Sequence, residues 1–159
     1  MSESDLLAFG ASLPGVVVMT ADEASGAPES AWGDSFFYYD PDDDDEVNRR
    51  MPFATIVVSN YPGFDEASDL DRPGVYRLNI AVGRAAYVDL LGHAPEEQAA
   101  HAGEFDYTAF DRLLPHPIYA SQGWVSILNP GERTADRART LISTARDLAA
   151  ARHDRRSSL

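Results

Sequence analysis

Residues 75–82, Val75-Tyr76-Arg77-Leu78-Asn79-Ile80-Ala81-Val82, decide how this chain is read. Successive side chains of a strand point to opposite faces. One face of this stretch is therefore Tyr76, Leu78, Ile80 and Val82, apolar apart from one hydroxyl, and the other is Val75, Arg77, Asn79 and Ala81. Such a segregation fits a sheet with one face packed on a core and one polar face. Working outward, Val16 to Thr20, Ser35 to Tyr39, Phe53 to Ser59 and Trp124 to Leu128 also read as strands, rich in β-branched and aromatic residues. The simplest arrangement of the second and third is a hairpin across the acidic connection Asp40-Pro41-Asp42-Asp43-Asp44-Asp45-Glu46.

Helical signals bracket and interrupt the strands. Ser4 caps a short helix that Leu13-Pro14-Gly15 breaks. Arg84 to Leu91 has helical periodicity and Gly92 is placed to end it, while Pro95-Glu96-Glu97 opens a weaker stretch before Gly103. Thr108 with Asp111 resembles a capping box for a single turn. Asn129-Pro130-Gly131-Glu132 resembles a helix start, after which Ala138, Leu141, Ile142, Ala145, Leu148 and Ala149 share one face. The expectation is one α+β domain over residues 1–159, ordered over about 3–152, with a mainly antiparallel sheet of about five strands and helices on one face.

Composition excludes several chemistries. The 159 residues include no cysteine and no lysine, so disulfides, thiolate ligands and Schiff bases are ruled out. A net charge of −13 disfavours a polyanionic partner. Residues 133–159 hold seven arginines against three aspartates, which reads as a helix complementing an acidic body. No signal peptide and no membrane span are legible, so the expected location is the cytoplasm with no membrane partner.

The polar face supplies the candidate site. Trp32, Tyr119 and Trp124 would wall a small-molecule pocket, and Arg77 and Asn79 would orient the ligand's polar group. His116, held between two prolines, and Asp34 would supply proton transfer. Thr55 and Ser126 share that face if the strands are adjacent, a register that the sequence leaves open. No cofactor and no metal are expected. His93 and His101 are eight apart and would need Asp89 or Glu97 to hold an ion, and the acidic run at residues 40–46 fails the calcium-loop pattern, with Asp45 where glycine is required and Met51 where the bidentate glutamate belongs. That run reads as a solvated loop.

Several stretches resemble an uncharacterised actinobacterial family of unknown function: Leu13-Pro14-Gly15-Val16, Trp32 to Tyr38, Met51 to Ile56, Tyr76 to Ile80, and His116-Pro117-Ile118-Tyr119 through Trp124-Val125. More distantly, the tryptophan-led last strand and closing helix are similar to the MmcQ/YjbR-like proteins. That resemblance implies a compact α+β domain and, for some members, DNA binding. The basic residues that accompany that label are replaced here by Ala120-Ser121-Gln122-Gly123. The expected function is binding of a small molecule, with acid/base catalysis in specialised metabolism as one form of it. A DNA-binding regulator acting through Arg137, Arg139 and Arg146 and a non-catalytic homodimer are the alternatives.

Overall fold

A computed structural model describes residues 1–157. Six strands form one antiparallel sheet: β1 (Val16–Thr20), β2 (Ser35–Tyr39), β3 (Ala54–Val57), β4 (Arg77–Ala81), β5 (Leu114–Pro115) and β6 (Trp124–Leu128), in the spatial order β1-β2-β3-β4-β6-β5. The sequence reading missed β5. It is two residues long, contains a proline, and sits at the edge, where a missing N–H removes no interior ladder bond. The β2–β3 hairpin is present as expected.

The α-helices are α1 (Glu3–Ser12), α2 (Asp45–Asn48), α3 (Gly83–Leu91), α4 (Gln98–His101) and α5 (Ala135–Ser157). The core lies between α1, α3 and α5 and one sheet face. There Phe37, Ala54, Ile80 and Val125 form one cross-strand row and Ile56, Leu78 and Ile127 the next, against Leu6, Tyr87, Leu141 and Ile142. This is the apolar face read from residues 75–82.

Four local expectations change. Ser2, not Ser4, caps α1, through a reciprocal box with Asp5. Asp111 does not box with Thr108; its carboxylate accepts from the backbone N–H groups of Gly131, Arg133 and Thr134 and from the Thr134 hydroxyl, ahead of α5. Asn129 is accordingly not the cap of α5. Its side chain accepts from Tyr76 N–H and donates to Gly74 C=O, and the helix begins at Ala135. The acidic connection is also not merely solvated. Asp40 is buried and accepts from Asp44 N–H, Asn48 Nδ2 and Arg49 Nε, while Asp42 pairs with His153 of α5 at 2.7 Å.

The opposite face of the sheet departs most from expectation, because Arg77, Asn79 and Ser126 are each only 1% exposed. The segments around residues 58–74 and 105–119 fold over part of that face, with Leu70, Val75, Leu114, Tyr61 and Phe105 packed on Val57 and Leu128. What remains uncovered is a cavity.

Candidate functional site

The strand register places the polar residues in line. Phe36 of β2, Thr55 of β3, Asn79 of β4 and Ser126 of β6 are direct cross-strand partners in sequence. Asn79 donates through Nδ2 to Thr55 Oγ1 at 3.0 Å, and its Oδ1 accepts from Ser126 Oγ at 2.8 Å and Arg77 Nε at 2.8 Å. Arg77 then reaches into the covering loop. Its Nη1 and Nη2 donate to the two oxygens of Asp65 at 3.0 and 2.6 Å, and Nη1 also to Ser68 Oγ at 3.0 Å. A buried guanidinium needs a carboxylate within reach, and a two-pronged pair supplies it with the best geometry. Burial alone would push the Asp65 carboxyl up, but the Arg77 hydrogen bonds and charge outweigh it and hold it below the usual carboxylate range.

Asp65 is positioned by a tight turn in which its backbone exchanges hydrogen bonds with Tyr61 at 2.9 and 3.0 Å. The same turn carries the Tyr61 hydroxyl to Asp34, to which it donates; the other Asp34 oxygen accepts from Val58 N–H at 3.0 Å. Burial raises the Asp34 carboxyl, more than these hydrogen bonds lower it, and burial together with Asp34 raises the Tyr61 hydroxyl. Asp34 thus serves Tyr61 and the β3 end rather than His116.

His116 is held by the turn that follows β5. Its Nδ1 accepts from Ile118 N–H at 2.9 Å and Tyr119 N–H at 3.0 Å, which fixes the proton of the neutral ring on Nε2. Burial, with Arg77 adding repulsion, lowers its pKa to about 3. The lone pair that a general base would use is committed to two backbone amides. What the ring retains is a donor, Nε2–H, with no acceptor among the described residues.

Beside these groups opens a cavity of about 510 Å³. Asn79, Thr55, Arg77 and Asp65 contribute its polar part, Phe36, Val57 and Tyr61 one wall, and His116, Tyr119, Gln122 and Trp124 another. The exposed side chains of Met51, Phe64 and Tyr119 belong to its lining too, with the Phe64 and Tyr119 rings 6.4 Å apart. Of the sequence candidates, Arg77, Asn79, His116, Tyr119 and Trp124 come together here. Trp32 and Asp34 are not among the lining residues. The Trp32 indole donates to Ala27 C=O at 2.9 Å, and Asp34 lies behind Tyr61. Sequence reasoning missed Asp65, Ser68, Tyr61 and Phe64. The one available signal was Arg77 itself, since an arginine inside a strand this apolar requires an acid that local pattern does not locate.

His93 and His101 stack at 4.1 Å between ring centroids, and His93 Nε2 donates to Gln98 Oε1 at 2.6 Å, while Asp89 and Glu97 are exposed. Among the described residues no group of three or more histidine, aspartate or glutamate side chains is arranged to hold a metal ion. No helix of the described residues is long and apolar enough to cross a membrane.

No curated protein and no solved structure matches the chain. One family model does, over residues 1–158, which is nearly the whole sequence and includes every residue of the cavity. The stretches quoted from Leu13 to Val125 all lie inside that match, and the chain belongs to this family of unknown function, DUF6194.

Proposed function

We propose that the protein binds a small organic molecule in the cavity on the polar face of its sheet. The observation that carries this reading is the position of a 510 Å³ aromatic-walled space directly over buried, mutually bonded polar groups. Ligand sites have this composition: mostly apolar walls, with a few fixed polar groups that set orientation. An exposed apolar concavity of this kind is also a common mark of a ligand-binding groove.

Binding is favoured over acid/base catalysis by the state of His116, whose Nδ1 is already bonded twice. The DNA-binding reading suggested by the likeness to MmcQ/YjbR-like domains draws less support. Arg139 is paired with Asp136, and Arg146 with Asp147 and the Pro14 carbonyl, so two of its three arginines are engaged.

Tryptophan emission tests the proposal. The chain has two tryptophans, and Trp32→Phe leaves Trp124, a lining residue, as the only reporter. A panel of flat aromatic and heteroaromatic compounds should contain members that change its emission and raise the melting temperature. Tyr119→Ala should weaken those responses without unfolding the chain, since Tyr119 is 38% exposed. A panel that leaves both signals unchanged would sink the reading.

A further inference from the structure

The hydrogen-bonding inventory at the floor of this cavity is one-sided, while Gln122 and Tyr119 in the wall can both donate and accept. At its floor the acceptors are already engaged: both Asp65 oxygens take Arg77, Asn79 Oδ1 takes Arg77 and Ser126, and Thr55 Oγ1 takes Asn79. Donors are left over. His116 keeps Nε2–H, because its Nδ1 is the acceptor of the turn. A guanidinium has five N–H groups and Arg77 uses four, so one on Nη2 finds no acceptor among the described residues. The Trp124 indole N–H likewise has none. A molecule that covers these donors gains most by bringing acceptors to them, because a donor buried under a ligand and left bare costs free energy.

Charge points the same way. The Arg77 cation is cancelled by Asp65 at 2.6 Å, and the His116 ring has no free lone pair on which to take a proton. The Asp34 carboxyl lies behind Tyr61, and the chain as a whole carries −13. No uncompensated cation among the lining residues awaits an anion. An anionic ligand would lose its hydration and meet a pair that is already neutral.

Building on the binding reading above, we infer that the cavity takes an uncharged, flat ligand whose carbonyl or ring-nitrogen acceptor docks on the His116 Nε2–H and Arg77 Nη2–H donors, and that it discriminates against the matching carboxylate. The aromatic walls of Phe36, Tyr119 and Trp124 hold the plane of the ligand. The imidazole acts as a fixed neutral donor, which a protonated or proton-exchanging histidine would not be.

Two probes with one ring system make the comparison: naphthamide and naphthoate. Each is titrated into the Trp32→Phe protein while the Trp124 indole N–H and the His116 ring nitrogens are followed by NMR. Naphthamide should move both signals, with a Kd about tenfold or more below that of naphthoate. His116 should keep its proton on Nε2 throughout. His116→Asn provides the second arm, because its side-chain oxygen can replace Nδ1 as acceptor for the two backbone amides while the Nε2–H donor is lost. It should weaken naphthamide about three- to tenfold and leave naphthoate unchanged.

Equal or tighter binding of naphthoate would overturn the inference and leave small-molecule binding intact. So would naphthamide affinity that ignores His116→Asn. Silence from both probes up to their solubility limits would also overturn it. The broader binding reading falls only if the wider compound panel is silent as well.

Discussion

Arg77 and Asp65 stand twelve residues apart in sequence and meet through two hydrogen bonds, 3.0 and 2.6 Å long, at a point where the arginine is 1% and the aspartate 6% exposed. The pair joins the central strand of the sheet to the loop that covers it. Floor and cover of the cavity therefore share one electrostatic contact.

Breaking that contact from one side should be costly. Asp65→Asn leaves a buried guanidinium without its counter-charge, and loss of about 3–5 kcal/mol is expected in urea unfolding. Replacing both partners, Arg77→Met with Asp65→Leu, should recover much of that loss, because neither charge then needs compensation. A double variant no more stable than Asp65→Asn would contradict this account.

Acid should begin to destabilise the protein at a pH above the ordinary carboxylate range. His116 has a folded pKa of about 3 against an ordinary value of 6.5. Between those values the unfolded chain binds the extra proton, so stability rises with pH across the window and is lost as pH falls from about 6.5. Near pH 5 the slope from this group approaches about 1.4 kcal/mol per pH unit. His116→Asn should flatten it; an unchanged slope would show that another group is responsible.

Asp111 organises the approach to α5 with four hydrogen bonds and sits at φ 54°. Asp111→Ala should cost about 1–2 kcal/mol, at the upper end for a lost cap because three backbone donors go unpaired. The Thr134 and backbone hydrogen bonds outweigh the opposing effect of burial and hold this carboxyl at about 2. Its stabilising effect is therefore present above the ordinary carboxylate pKa of about 4 and disappears as pH falls towards 2. Chemical denaturation of wild type and variant at pH 7 and pH 2 should show the difference shrinking.

Gly10 in α1 faces the Phe37 ring so closely that a methyl group there would overlap it. The backbone is helical, so Gly10→Ala should bring a helix-propensity gain of about 1 kcal/mol. The clash should exceed it, giving a net loss of about 1–2 kcal/mol and a lower melting temperature. A stabilised variant would mean that α1 can move away from the sheet at little cost.

The sheet was legible where strands alternate or concentrate β-branched and aromatic residues. β1, β2 and β6 have the bounds read from sequence, and residues 75–82 disclosed both faces of β4. Long-range partners were not legible. Asp111 belongs to a helix that begins 24 positions later, and Asp65 to a strand whose sequence says only that an acid is required. Trp32 had every local mark of a pocket aromatic, yet a carbonyl five residues back takes its indole N–H. His116 was correctly singled out, but its tautomer depends on which way the 118–119 amides point, and residue types do not disclose that.

The Thr55–Asn79–Ser126 rung has a consequence for assembly of the sheet as well as for its cavity. Sliding any of the three strands by one position would turn its rung residue towards the helices and strand a hydroxyl or, for β4, a carboxamide among leucine and isoleucine side chains. The polar line thus works as a vernier, counting β3, β4 and β6 into a single alignment that the apolar rows, tolerant of exchange among similar side chains, would define less sharply.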